Sequence, residues 1–492
     1  MAARWLIVPF LALALAGCWR SDDGAAEIAF IDSSDSLFAG GVRLSPGAQH
    51  LRAATGAGLV SLNAQGEVIP ALADRWIVTD DGRSFIFRLR EGNWPDGSAL
   101  SAESVRTALR EAIRRLQGTS LGLDLAPVAE VRAMAGRVVE IRLSSPVPML
   151  LQLLAQPELA LIRGPIENGG GSGDMRLVRD GATAVLAMKP PAARGIPEAA
   201  DWEQYVRALN VRAAGARQAI TLFDDGEVDL VLGGGVGALP LADTGPLSRG
   251  TVRLDPALGL FGLQVRRGLG LLASASGREA IAMAIDRAAL IEPFGIGGWI
   301  PTTRMVAPGL ANEAGAPAER WAGRDLAGLR AEAARRVGVW RRANGGAPAR
   351  LTLGLDRAPG LDMLFGELAR QLATIGVRLE RVSPGAAADF ALVDRVARYA
   401  EARWFLNQFN CGLRNGLCSA DTDVLVGDAV AEPDAAARTK LLADAEAALT
   451  QANVYIPFGS PLRFSLVRGD VEGFAANAWA FHPLPPLAVI PR

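Results

Sequence analysis

The sequence predicts an α/β protein of two lobes, and three observations carry this. At 492 residues the chain is too long for one hydrophobic core. Two strand–helix–strand patterns recur, near 206–232 and 351–382, and each implies a partly parallel, twisted sheet. Between them the composition changes near Leu254–Leu260, where a crossover from one lobe to the other would sit.

The elements follow from local patterning. Ile28–Ile31 reads as the first strand, ending in Asp32, Ser33 and Ser34. Strand ends face the ligand crevice in open α/β sheets, so these three residues are expected at the cleft. Leu72–Val78 and Ser84–Leu89 flank Thr79-Asp80-Asp81-Gly82. An Asp-Gly turn between apolar runs is a hairpin signal. The other oxygen ligands of a calcium loop are missing there. After the turn-forming stretch Glu91–Gly97, Ser101 reads as an N-cap with Glu103 in the first turn. Val105, Ala108, Leu109, Ala112, Ile113 and Leu116 then mark one helix face. Val138–Leu143 is a strand.

The first β-α-β pattern comprises Val206–Val211, Arg217–Phe223 and Gly226–Leu232. A helix is predicted over Arg278–Leu290. The second pattern is Leu351–Leu355, Leu361–Ile375 and Val377–Val382. Ala435–Gln451 is a helix by propensity.

Composition excludes several functions. Half the residues are apolar, and 51 basic against 52 acidic side chains leave a net charge of −1. Lys189 and Lys440 are the only lysines, so Arg dominates as a compositional bias. No basic patch of the kind nucleic-acid binding needs is visible.

The start of the chain points to export. Arg4 precedes a 13-residue apolar run, Trp5–Gly17, short of the roughly 20 a spanning helix needs. A charged start, a short apolar core and a small-residue end make a secretory signal. The end, Leu15-Ala16-Gly17-Cys18, is similar to a bacterial lipobox, in which Cys18 is acylated and becomes the mature N-terminus. Residues 1–18 are then a lipoprotein signal, and Trp19–Ala26 a short tether. Export permits disulfides. Cys411 and Cys418, around the loop Gly412–Leu417, are expected to pair, with two free thiols as the alternative. Zinc needs about four ligands, and the two histidines, His50 and His482, lie far from these cysteines in sequence.

Several segments, in order, resemble the family 5 extracellular solute-binding proteins. The match runs through Gly58-Leu59-Val60, Val68–Trp76, Asp80-Asp81-Gly82, Phe85–Gly92, Trp94-Pro95-Asp96-Gly97 and Leu100–Val105. It resumes at Gly226-Glu227-Val228-Asp229, Arg278–Arg287, Leu372–Val377, Tyr455–Phe458 and Val471-Glu472-Gly473. The resemblance implies a receptor whose first lobe, 19–258, is interrupted by a second, 259–466, and completed by 467–492. It further implies a monomer in the periplasm or cell envelope, held to a membrane by its lipid. Lobe closure over a small-molecule or peptide ligand would precede docking on an ABC permease in the inner membrane. No cofactor is implied.

One departure bears on the ligand. The family often carries an acidic-Tyr-x-acidic-Pro segment followed by Phe-Leu, and its first acid pairs with a peptide's α-amino group. The matching stretch here is Arg398-Tyr399-Ala400-Glu401-Ala402-Arg403-Trp404-Phe405-Leu406. Arg398 stands where that acid would be, and like charges repel. A guanidinium suits a carboxylate or phosphate instead. Arg398, Tyr399, Glu401 and Trp404 are therefore the expected cleft residues. The competing reading turns Arg398 to solvent, or pairs it with Glu401 or Asp394.

Enzymatic readings find little support. Gly233–Ala238 fits G-x-G-x-x-A, but Pro240 follows where a helix should start, so a loop near the cleft is expected. No P-loop, His-Glu-x-x-His or G-x-S-x-G occurs, and two histidines supply little acid–base chemistry. The expected function is non-catalytic binding and delivery of a solute to an importer. The alternative is an envelope lipoprotein, scaffold or sensor, that kept the receptor fold without a transporter.

Overall fold

The computed structural model describes residues 24–163, 171–242, 250–310 and 314–490. Cys18 and the leader lie outside the described residues, as do residues 169–170 and 243–246.

The first lobe is built on a seven-stranded sheet. Its order is Val252–Asp255, Arg463–Val467, Leu230–Gly235, Ala26–Ile31, Leu209–Ala214, Thr183–Met188 and Met175–Asp180. The apolar run Ala26–Ile31 sits at the centre, parallel to both Leu209–Ala214 and Leu230–Gly235. A parallel strand covered on both faces needs such a run, and Ala26, Ile28, Ala29 and Phe30 are fully buried. Helix Ala216–Asp224 closes the expected β-α-β unit. Strand Leu230–Gly235 continues through three glycines, pairing Gly234 with Phe464, so the first half of the run expected as a loop is strand, while 236–238 turn as expected and Gly233 reaches the cavity between the lobes. The reason is packing: a Cβ on Gly234 would lie 2.5 Å from the Phe464 ring.

Between the first and last strands of this lobe the chain folds a separate four-stranded sheet. Its order is Ala73–Val78, Ser84–Leu89, Val138–Leu143 and Val128–Ala133. The hairpin joins Trp76 to Phe87 and Val78 to Phe85. Alternation decides the faces: Phe85, Phe87 and Leu89 are buried and Arg88 is exposed. Helix Ala102–Arg115 starts at Ser101, whose side chain accepts from the Ser104 N–H. The return bond of the capping box comes from Ser104, to which the Ser101 N–H donates.

The second lobe holds a five-stranded sheet in the order Val377–Val382, Ala349–Gly354, Phe390–Val396, Gly259–Val265 and Tyr455–Gly459. Ala349–Gly354 and Val377–Val382 run parallel on either side of helix Pro359–Ala373. The expected helix 278–290 is two helices, Ala275–Ala284 and Arg287–Ile291. Asp286 breaks it, because its side chain caps the second helix by accepting from the Ala289 N–H. Residues 256–258 carry the chain from the first sheet into the second, and 460–462 carry it back. The return expected at 466–467 thus falls inside strand Arg463–Val467, whose hydrogen bonds belong to the first lobe.

The lobes touch along a dry seam. One buried cluster runs from Phe87, Val139 and Leu153 of the four-stranded unit to Trp404, Phe405, Leu442 and Leu449 of the second lobe. Elsewhere the Gly360 N–H donates to the Gly237 carbonyl (3.0 Å), joining the start of helix Pro359–Ala373 to the first lobe. A Cβ on Gly360 would lie 1.9 Å from the Val236 carbonyl oxygen, so only glycine permits that approach.

Candidate functional site: a cleft bridged in two places

A cavity of about 530 Å³ opens between the lobes. Gln49, His50, Asp124, Gln156 and Glu158 wall it from the first lobe, and Arg395, Arg398, Trp404 and Gln408 from the second. Val42, Leu62, Leu121, Trp479 and Phe481 supply apolar wall. Its size lies within the roughly 300–1,000 Å³ of small-molecule sites.

Arg398 reaches across the cleft. Its Nη2 donates to Glu158 Oε1 (2.9 Å) and its Nη1 to Gln156 Oε1 (3.1 Å). The Gln156 amide returns a bond to the Arg398 carbonyl (3.2 Å). Neither Glu401 nor Asp394 takes this charge. Asp394 pairs instead with Arg463 (2.7 Å), beside the return crossing. The Arg398 side chain keeps 28% of its surface exposed, against 5% for Glu158.

Tyr399 faces the other way and is fully buried. Its hydroxyl donates to Asp124 Oδ1 (2.9 Å), which also accepts from the Asn407 amide (2.7 Å). Asp124 ends the helix Ser120–Asp124 of the first lobe, and Asn407 ends Ala402–Asn407 of the second, so this is a second bridge. Burial pushes the Asp124 carboxyl up to about 6, against the charge of Arg403 and the two hydrogen bonds, which pull it down. Burial also raises the Tyr399 hydroxyl well above its ordinary value. For Arg403, burial opposes the charge, but Tyr399, Glu401 and Asp124 outweigh it and raise its pKa.

The sequence-predicted residues therefore separate. Arg398 and Trp404 line the cavity, whereas Tyr399 lies behind it in the Asp124 network. Glu401 borders a different, small void with Arg403, Arg438 and Leu442. Asp32, Ser33 and Ser34 are not on the cavity wall. Asp32 continues the sheet by donating its N–H to the Ala214 carbonyl, and its side chain accepts from the Ser33 N–H. The chain then turns through Ser36–Phe38, and the wall comes from Val42 to His50 further along. Cys411 and Cys418 are joined in a disulfide beside the Asn407 helix.

Asp124, Glu158, Arg395 and Gln408 belong to the site without any local sequence signal. The histidines, 432 positions apart, meet here: the His482 N–H donates to His50 Nε2 (3.0 Å), and His50 Nδ1 faces the Pro46 carbonyl (2.6 Å). Burial, with smaller help from the His482 and Arg398 charges, lowers His50 to about 3, so the ring is neutral and structural. Among the described residues no group of three or more His, Cys, Asp or Glu could hold a metal. Among them, too, no helix is long and apolar enough to cross a membrane.

Comparison with known proteins agrees with this architecture. OppA of Haemophilus influenzae, solved in complex with RPPGFSPFR, superposes with a TM-score of 0.78 at 17% identity. That match covers 95% of this chain and all of that one. The murein tripeptide-binding protein MppA of Escherichia coli gives 0.77 at 18% identity, covering 95% of this chain and 99% of the other. A curated relative, the probable deoxycholate-binding periplasmic protein YgiS of Escherichia coli K12, is 32% identical over 120 residues. That alignment spans 21% of this chain and only 22% of the relative. The model of the bacterial extracellular solute-binding proteins, family 5, matches residues 67–337, more than half of the chain. The protein therefore belongs to the family 5 bacterial extracellular solute-binding proteins.

Proposed function

We propose that this protein is the lipid-anchored, extracytoplasmic receptor of an ABC importer, acting as a monomer. It takes a peptide-like or other small solute into the cleft, closes over it, and presents the closed form to an inner-membrane permease. The observation that carries this reading is the 530 Å³ cavity, whose two faces come from different lobes. Only such a cavity couples occupancy to the relative position of the lobes. Arg398, bridging to Glu158, acts in this reading as a closing contact at the cavity rim. The relatives bind different solutes by their names, a nonapeptide, a murein tripeptide and a bile acid, so the fold alone does not select among them.

Native mass spectrometry of the purified protein is expected to reveal a co-purified small molecule. Small-angle scattering should then detect compaction when the emptied protein is reloaded. A particle whose dimensions never respond to any bound solute would refute closure. Acylation is tested apart from this: Cys18→Ser should move the protein from the membrane to the soluble fraction, and unchanged fractionation would rule out the anchor.

A further inference from the structure

Four guanidinium groups reach the cavity wall: Arg43, Arg395, Arg398 and Arg463. Two already have a carboxylate, Glu158 for Arg398 and Asp394 for Arg463. The third acid of the wall, Asp124, is engaged by Tyr399 and Asn407. Arg395 differs from the paired arginines. Its Nη1 donates to the neutral Gln408 Oε1 (3.1 Å), and among the described residues no carboxylate lies within 4.0 Å of Arg395 or Arg43. Both keep part of their surface open to solvent, and both contribute to the cavity wall.

We propose that Arg395, assisted by Arg43, anchors the anionic end of an amphipathic ligand whose apolar body lies along Val42, Leu62, Leu121, Trp479 and Phe481. This rests on the receptor reading above and deepens it by naming a ligand class, a compact apolar carboxylate. The anion anchor is thereby Arg395 and not Arg398, whose charge is already met.

The physical reason is an uncompensated charge in a confined space. The walls desolvate Arg395, and the Arg266 and Arg43 charges act on it in the same direction, so its pKa is lowered. A cation held near other cations gains most from an arriving anion, and the planar guanidinium matches a carboxylate with two parallel bonds. Its open side is the cavity, where a ligand would approach. On this wall the charges of Glu158 and Asp394 are already matched by arginines, which weakens their pull on a free peptide N-terminus. Leucine, tryptophan and phenylalanine side chains complete a site with one charged end and one apolar body.

The test is titration calorimetry on the whole mature protein, stripped of bound solute. The probes are decanoate and deoxycholate below their micelle thresholds, the methyl ester of each, and trialanine. The carboxylates should bind at least about tenfold more tightly than their esters. Arg395→Gln should weaken the carboxylates by about 10- to 100-fold while changing the esters less than about twofold. Arg395→Lys should keep part of the preference. Thermal unfolding of Arg395→Gln should stay close to that of the parent, since the contact it alters is one hydrogen bond to the neutral Gln408. Equal affinity for acid and ester, or an unaffected Arg395→Gln, overturns the anchor and leaves the receptor reading standing. Binding of trialanine alone, or of no probe, overturns the ligand class. The receptor reading is then judged separately, by the co-purified solute in native mass spectra.

Discussion

Arg398 and Tyr399 are neighbours in sequence, and each crosses the cleft, yet they build opposite kinds of bridge. Arg398 meets Glu158 at the cavity, with 28% of its side chain still exposed. Tyr399 meets Asp124 in a dry interior shared with Asn407 and Arg403, with no exposure at all. Consecutive residues after a strand point to opposite sides, so one step along the chain separates the wet bridge from the dry one. Burial then sets their worth: exposed ion pairs give about 0–1 kcal/mol, whereas buried polar groups cost far more when a partner is lost.

The largest expected effect comes from the dry bridge and its pH dependence. Folding raises the Asp124 pKa from 3.8 to about 6, so the folded protein holds a proton that the unfolded chain releases. A raised carboxyl makes the folded state lose stability as pH rises from about 4 through about 6 and level off above that. A shift of this size corresponds to about 3 kcal/mol. Because the site lies between lobes, the same proton should favour the bridged arrangement at pH 5 over pH 7.5. Chemical denaturation across pH 4–8 measures the first expectation and scattering the second. Asp124→Asn, which keeps an acceptor and cannot ionise, should flatten both profiles. A wild-type profile as flat as that of the variant would break the contrast between the bridges.

Tyr399→Phe should come next. It removes one of two donors to Asp124 Oδ1 and leaves the ring in place, at a cost of about 1–2 kcal/mol in urea unfolding. The midpoint of the Asp124 titration should also rise, since a bond to the carboxylate is lost. A downward movement of that midpoint would mean that Tyr399 does not stabilise the charge.

The smallest effect belongs to the wet bridge. A double-mutant cycle on Arg398→Ala and Glu158→Gln should return a coupling of about 1 kcal/mol or less, shrinking between 0.05 and 0.5 M salt by screening. A coupling above about 2 kcal/mol, insensitive to salt, would place Arg398 energetically with the dry network.

Local elements were legible because their causes are local. The strand Val138–Leu143 and the hairpin across Thr79–Gly82 follow from alternation and an Asp-Gly turn, and Ser101 from capping chemistry. Where local rules failed, a specific contact prevailed: Asp286 split a helix by capping, and Phe464 held the glycines of Leu230–Gly235 in a strand. The site was only half legible. Arg398 and Trp404 reach the cavity, but Asp32, Ser33 and Ser34 do not, since the wall on that side begins at Val42. The partners of Arg398 and Tyr399 lie 240 and 275 positions away, and no periodicity or motif encodes such a pairing.

By itself the sequence determined the β-α-β units and the family, because each is written in neighbouring residues. The tertiary structure alone decided which arginines of the cleft carry unmatched charge. That property depends on where Glu158, Asp394 and Asp124 arrive in space, and a charge is defined by its surroundings and not by its place in the chain.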